Sequence, residues 1–458
     1  MFRLTFLASD WSRLEQHLNE SSPEEDGAFF LIHRGKGSED TRLLATKLLF
    51  PPDNGWESKG NHRLRPTGQW LSGVIGSAIE DSSGIGFVHS HPHAFHPASL
   101  SPIDRETSLE WARTILPTTG GPFISIVVAN GKVAGWVFES DASEPCDIDR
   151  ITVVGEGSIR SVGQSEQPLS ADTLDDRQIR ALGELNNANL RELTVGLVGA
   201  GGTGSPVGEQ LARMGVAKIN IFDPDKLDTP SNLRRVVGSR PDDVKHRRHK
   251  AVVLQDHLNS LKLGSVARAF PQDAREETAA RVLLDSDVVI STTDTQSSRA
   301  FLNQLAYQYW LPVIDVGVRV GMTLDRRISG MPVETRLLLA EDGCLWCRDT
   351  LNSDLIREEN LPIGERAALA REGYVQGVQE SQPSLTPLNF LASSIATLSM
   401  LRAFGGRSSP STSFIVDVWE SYVHPLPNGR RTSCICNSWR GKGDDVYLPF
   451  KPPEKGAT

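Results

Sequence analysis

A chain of 458 residues is about three times the usual domain length, so two or three domains are expected, each large enough for its own core. The formal charge of -9, with acidic and basic residues mixed throughout, weighs against a phosphate-tracking nucleic-acid binder and favours a protein partner or a small anion. Five cysteines, four of them in two close pairs, weigh against a disulfide-stapled secreted scaffold and point to metal in a reducing, cytoplasmic compartment.

The N-terminal MFRLTFLASDW lacks a long apolar core and a cleavage site, so it reads as a first strand rather than a signal peptide. Residues 1–145 mix strand-like runs (28–33 and 84–89) with the hairpin FISIVVANGKVAGWVF, where Asn130-Gly131 supplies the positive φ angles of a type I′ turn. In HSHPHAFHPASLSPID, His89 and His91 stand two apart at the end of a strand-like run. A strand's period of two sends both imidazoles to one side, where they can share a metal. Asp104 follows at a helix start and offers a third ligand, leaving an open position for water, although Ser101-x-x-Asp104 with Pro102 between them also reads as a helix capping box.

Glu-x-x-Gly ahead of an apolar strand, then His-x-His-Pro, then Ser-x-x-Asp resembles the JAMM (MPN, or Mov34) metalloprotease family over roughly the first 140 residues. The resemblance implies an α/β zinc isopeptidase domain in which His89, His91 and Asp104 bind a catalytic Zn2+ and Ser101 supports the oxyanion. Glu24 would be the general acid/base, with Glu25 as runner-up. The His-to-Ser spacing is longer than the family's and contains His93 and His96, either of which could compete as a ligand.

Residues 146–171 have the Ser, Glu, Gly and Pro content of a linker. From 172 to 445 strand and helix alternate, which implies a mostly parallel, Rossmann-like sheet. LTVGLVGAGGTGSPVGEQLARMG is strand, tight turn and helix start, with Gly199, Gly201, Gly202 and Gly204 in the turn; Asp223 ends the next strand, where a ribose hydroxyl is read. This much also suits a nicotinamide enzyme. DPDKLDTPSNLRR then gathers Asp223, Asp225, Asn232, Arg234 and Arg235, with Lys250 fifteen residues further, a set of cations suited to a triphosphate. Asp294 closes another buried strand, placed either to hold Mg2+ or to cap the next helix. The apolar run 388–404, dotted with Ser, Thr and Asn, reads as a buried helix rather than a membrane span, and residues 446–458 as a loose tail.

The glycine turn, Asp-x-Asp, Ser-Asn-Leu-x-Arg, the downstream lysine and Thr-Thr-Asp-Thr, in that order, resemble the ThiF/MoeB family and the adenylation domains of ubiquitin-activating enzymes. Val236 departs from the family, which often has Gln after the Arg. The resemblance implies ATP and Mg2+ as cofactors, with Asp223 on ribose, Asn232, Arg235 and Lys250 on the phosphates and Asp294 on magnesium. Arg177 would reach the ATP of the other protomer, hence a homodimer. Cys344, Cys347, Cys434 and Cys436 resemble the family's structural Zn2+ site. The region between helices where relatives carry a thioester cysteine has none here, and Cys146 lies far from it; Ser384, Ser381 or Thr386 would then form an oxyester, or the acyl-adenylate passes directly to a partner. The function implied is a bifunctional enzyme of a bacterial ubiquitin-like system, with antiviral defence as the context by family analogy, that both adenylates a ubiquitin-like protein and hydrolyses after its C-terminal glycine. A conjugating enzyme is the implied further partner, and sulfur-carrier activation for cofactor synthesis or an NAD-dependent oxidoreductase are the alternatives; neither nucleic acid nor membrane is a partner.

Overall fold

The apolar alternation of the first half closes into one nine-stranded mixed sheet in the computed structural model, which describes residues 1–60, 63–92, 98–140, 144–162, 173–325, 327–362, 365–366, 369, 383–405 and 412–452. The elements are β1 (Phe2–Leu7), α1 (Ala8–Glu20), β2 (Gly27–Lys36), β3 (Thr41–Leu49), β4 (Trp56–Gly60), β5 (Arg63–Pro66), α2 (Gly68–Glu80), β6 (Gly84–Ser90), α3 (Pro102–Thr119), β7 (Phe123–Ala129), β8 (Lys132–Phe138), β9 (Cys146–Asp147), β10 (Arg150–Gly155) and β11 (Ser158–Val162). The strand order is β11-β10-β1-β3-β2-β6-β7-β8-β9. Along β2 the period of two divides the core: Phe30 and Ile32 join Leu4, Phe6 and the α1 residues Trp11 and Leu14, while Phe29 and Leu31 pack with Trp70 and Val74 of α2 and Ile115 of α3. Both sheet faces are therefore covered, and β2 and β6 sit between two apolar layers.

The expected linker is corrected over most of its described length. β10 pairs in parallel with β1, buries Ile151, Val153 and Val154, and turns into β11 through Glu156-Gly157, whose φ angles of 50° and 74° make the two-residue hairpin turn. The polar composition on either side hid this short apolar run. Residues 163–172 lie outside the described residues.

The second half begins with α4 (Asp176–Leu182) and α5 (Glu184–Leu190), then alternates β12 (Thr194–Val198), α6 (Gly204–Arg213), β13 (Lys218–Phe222), α7 (Pro241–Lys245), α8 (Lys250–Ser260), β14 (Val266–Phe270), α9 (Glu277–Leu283), β15 (Val288–Ser291), α10 (Gln296–Gln308) and β16 (Val313–Val318). The small pair β17 (Gly321–Met322) and β18 (Ile328–Gly330) precedes β19 (Pro332–Leu338), α11 (Ser353–Glu359), α12 (Thr386–Phe404), β20 (Ser413–Asp417) and β21 (Tyr422–Pro425). The eight-stranded sheet runs β14-β13-β12-β15-β16-β19-β20-β21, its first five strands parallel and the rest antiparallel. From β12 the chain works outward to β14, then returns to β15 on the other side of β12. That reversal opens a crevice at the carboxyl ends of β12 and β15, the place where open α/β sheets take ligands.

Contacts divide the chain into two compact units: Met1–Gln167 with Gln308–Trp310 and Arg440–Tyr447, and the remainder. Helix α12 buries Leu388, Ala392, Ala396 and Met400, and no described helix is long and apolar enough to cross a membrane. The expected loose tail is corrected as far as it is described: Leu448 is buried, Phe450 meets Phe301 and the Arg281 guanidinium, and Lys451 Nζ lies 3.2 Å from Asp273.

Candidate functional site

Each glycine of the loop after β12 has its own reason. Gly199 has a φ of 96°, the left-handed region that favours glycine. A Cβ on Gly204 would stand 1.9 Å from the Gly199 carbonyl, so the first turn of α6 closes only with glycine there. A Cβ on Gly202 would stand 2.5 Å from Asn389 Nδ2 of α12. Gly201 differs: its Cβ would meet no protein atom within 4 Å, so the space it leaves opens outward from the loop.

Asp223, at the end of β13, is buried against this loop. Its Oδ2 accepts from Ala200 N at 2.7 Å and its Oδ1 from Asp225 N at 2.8 Å. Burial pushes its carboxyl up against the pull of Lys250 and those two amides. Lys250 opens α8 and places Nζ 2.7 Å from Asp225 Oδ2. Arg235 follows the short 3-10 turn Pro230–Arg234; its Nη2 donates to the buried Asn232 Oδ1 at 3.2 Å, and its Cβ lies 3.5 Å from the Cβ position of Gly202. Arg235 Nε is buried and has no hydrogen-bond partner among the described residues. Asp294 is exposed in the turn after β15, whose last residue, Ser291, is the register partner of Val198. Its rival reading as a helix cap is not what the structure shows. Thr295 Oγ1 accepts from Ser298 N at 3.4 Å, and the Glu359 carboxylate accepts from Gln296 N and Ser297 N at 3.0 and 2.7 Å.

Ser384 is exposed just ahead of α12, and its Oγ accepts from Asn389 Nδ2 at 3.0 Å; Thr386 Oγ1 donates to the Arg234 carbonyl at 2.8 Å. Ser381 lies outside the described residues. Arg177 is exposed on α4, and among the described residues no hydrogen bond or ion pair joins it to the loop. Asn389 and Ser393, whose Oγ donates to the Thr203 carbonyl at 2.7 Å, have no motif of their own. Their signal was the scatter of Asn, Ser and Thr along an otherwise apolar helix, since polar groups buried there need partners.

Cys344, Cys347, Cys434 and Cys436 gather their sulfurs in one cluster, with separations of 3.8 Å (344–347), 3.6 Å (344–434) and 3.7 Å (347–436). A tetrahedron on Zn–S bonds of about 2.3 Å has edges of about 3.8 Å, so the set fits Zn2+. Burial pushes the Cys344 thiol up, whereas for Cys347 the Arg431 amide and the neighbouring groups outweigh burial and bring it down to about 7. Amides of Cys347 and Arg431 donate to Cys344 Sγ and Cys347 Sγ, each at 3.4 Å, and such bonds favour thiolate.

In the first unit, His89 Nε2 and His91 Nε2 lie 3.1 Å apart, and Asp104 brings Oδ1 within 3.3 Å of the first and Oδ2 within 3.4 Å of the second. One ligand atom from each of the three lies within 4.8 Å of the others, a grouping that could hold Zn2+. The capping box is present as well: Ser101 Oγ accepts from Asp104 N at 3.1 Å, and Ser101 N donates to Asp104 Oδ2 at 2.9 Å. One carboxylate thus serves the helix and faces both imidazoles. Despite burial, bonds from His89 and His91 hold Asp104 well below the usual carboxylate range, and Asp104 in turn raises His91. His93 and His96 lie outside the described residues.

The two candidate carboxylates, Glu24 and its runner-up Glu25, differ in placement. Glu24 is exposed, while Glu25 is buried and close enough to feel His91 and Asp104. Burial, with a smaller contribution from Asp104 and against His91, raises Glu25 to about 7. The reason is local: Asp26 turns the other way, its Oδ2 2.7 Å from Lys59 Nζ and its Oδ1 accepting from Gly27 N, which leaves Glu25 on the side of His89, the register partner of Gly27.

Comparison with known proteins bears on the second unit. The profile of the ThiF family matches residues 175–436. Over 155 residues the chain is 33% identical to the adenylyltransferase and sulfurtransferase UBA4 of Kluyveromyces lactis, a match covering 33% of this chain and 34% of that one. It is 30% identical over 133 residues to the sulfur carrier protein adenylyltransferase of Thermus thermophilus, covering 29% of this chain and 48% of that one. It is 34% identical over 146 residues to the ATP-dependent ubiquitin transferase-like protein Cap2 of Enterobacter hormaechei, covering 29% of this chain and 23% of that one. The chain therefore spans between about a quarter and a half of these relatives' lengths. With the family profile matched over more than half of the 458 residues, and a glycine loop, carboxylate and cations assembled at the sheet's reversal point, the chain belongs to the ThiF family.

Proposed function

We propose that the second unit adenylates the C-terminal carboxylate of a ubiquitin-like or sulfur-carrier protein with ATP. The observation that carries this reading is the arrangement around the loop: outward space at Gly201, Asp223 bonded to the Ala200 amide, Lys250 paired with Asp225, whose amide bonds Asp223, and Arg235 beside Gly202. The names of the relatives agree with it. Asp223 would take the ribose hydroxyls, the loop amides and the α6 N-terminus the phosphates, and Arg235, Asn232 and Lys250 the β and γ groups as pyrophosphate leaves. Asp294 would hold Mg2+, which neutralises phosphate charge when bound. The carrier carboxylate is already a nucleophile, so the protein contributes position and charge neutralisation rather than a base. Incubation of the chain with Mg-ATP and small β-grasp proteins, followed by mass spectrometry, is expected to show a carrier heavier by an adenylyl group, and to show none with Arg235→Ala. No adenylated carrier across such a panel would contradict the reading.

The first unit is read as a JAMM-type hydrolase acting after the same glycine. His89, His91 and Asp104 would hold Zn2+, which polarises a carbonyl and acidifies water. Glu25, buried beside them, would carry the proton from water to the leaving amine, and Ser101 would support the oxyanion. The four cysteines of the second unit would hold a structural Zn2+. Ser384, tied to the loop through Asn389, would be the acceptor if an ester forms on this chain. An adduct stable to thiol, cleaved by hydroxylamine and missing in Ser384→Ala is then expected; a thiol-labile adduct lost in Cys146→Ala would contradict it. Exposed Arg177 fits a homodimer in which it reaches the partner's nucleotide, and transfer of the carrier to a conjugating enzyme in the cytoplasm follows from the ligation reading. Release of a thiocarboxylate instead would favour sulfur transfer, as the Kluyveromyces relative's name does for that protein.

A further inference from the structure

Helix α12 reaches the glycine loop from far along the chain and touches it at several points. Asn389 is 4% exposed, and its Nδ2 sits 2.5 Å from where a Cβ on Gly202 would stand. Gly202 does not have the positive φ of Gly199, so what a side chain there would meet is this neighbour, whose carboxamide would have to shift. Ser393 Oγ holds the Thr203 carbonyl at 2.7 Å, Gln210 of α6 donates to Ser394 Oγ at 3.2 Å, and Thr386 holds the Arg234 carbonyl at 2.8 Å. Asn389 donates to Ser384 Oγ at 3.0 Å. One face of α12 thus contacts the turn that would approach phosphate, the stretch of chain carrying Arg235, and the Ser384 hydroxyl.

We infer that Asn389 is a positioning residue for the nucleotide. Its carboxamide is the backstop of Gly202, and it fixes how far the loop amides stand from the phosphate they meet. A residue in contact with the loop but not with substrate acts through backbone distance, to which hydrogen bonds to phosphate are steeply sensitive. This inference rests on the nucleotide reading of the loop.

The test is a double-mutant cycle on the full chain, titrated with α,β-methylene-ATP and Mg2+ by calorimetry. Gly202→Ala drives a methyl group into the carboxamide, and Asn389→Ala removes the backstop; each weakens binding by about tenfold, as expected for neighbours in direct contact. The double variant binds no worse than either single one, because the added methyl group fills the space that the lost carboxamide vacates. Asn389→Ser, which keeps a polar group beside Ser384, retains the fold and shows a weaker form of the same loss, so the cycle can be read even if the alanine variant folds poorly. Gly201→Ala, whose methyl group meets no protein atom, weakens binding equally with and without Asn389. Losses that multiply to about a hundredfold in the double variant, or Asn389 variants that bind as wild type, would overturn the inference. Wild type that fails to bind the analogue at all would instead refute the nucleotide reading beneath it.

Discussion

Two adjacent carboxylates, Glu24 and Glu25, face different surroundings, one in water and one beside His91 and Asp104. Glu25→Gln is therefore expected to lower hydrolysis of a carrier fusion by about 10²–10⁴-fold, the usual weight of a general acid/base, while Glu24→Gln leaves it unchanged. Equal effects from the two would show that the proton carrier has been misplaced. The glycines separate in the same way. Gly204→Ala collides with the Gly199 carbonyl and is expected to lower the melting temperature, whereas Gly201→Ala keeps it and loses only nucleotide affinity, as melting with and without Mg-ATP would show. At this scale the sequence disclosed residue types better than their directions. The spacing within His89-x-His91 and within each cysteine pair depends on short local segments and was legible, whereas the meeting of the two pairs depends on the fold. The choice between Glu24 and Glu25 depends on how Asp26 is anchored to Lys59, and the role of Asn389 on a packing contact with a loop far away in the chain, and no local pattern encodes either.

Among elements, β6 carries His89 and α3 carries Asp104, and Asp26 pins the start of β2. Burial opposes the Asp26 charge, but bonds from His17, Lys59, Ser21 and the Gly27 amide outweigh it and hold the carboxyl well below the usual range. A carboxyl depressed in the folded state contributes stability above its unfolded value of about 3.9 and loses it as the pH falls below that. Protection of the β2 amides, corrected for the intrinsic exchange rate at each pH, is expected to fall between about pH 4 and pH 2, and Asp26→Asn to be weaker at neutral pH with a flatter acid dependence. Parallel acid profiles for the two proteins would contradict this. The strand–glycine turn–helix of β12 and α6 was legible because steric needs and apolar period agree there. β10 was not, since a six-residue run buried by pairing with β1 stands amid polar text.

For the whole molecule, two groups that could hold a metal occur among the described residues, one in each compact unit, and the glycine loop lies in the second. Independent sites imply separable losses. The full chain is expected to hold about two Zn2+ by elemental analysis. His89→Ala should lose one without affecting adenylation, and Cys436→Ser should lose the other and destabilise the second unit, because metal binding by thiolates is coupled to folding. A single variant that strips both metals would show that the sites are not independent. The central claim, that the loop after β12 activates a carboxylate with ATP, is tested most directly by ATP–pyrophosphate exchange with a β-grasp carrier. Carrier-dependent exchange is expected in the wild type and falls by about 10²-fold or more in both Lys250→Ala and Asp294→Ala. Exchange that persists undiminished in those two variants would contradict it.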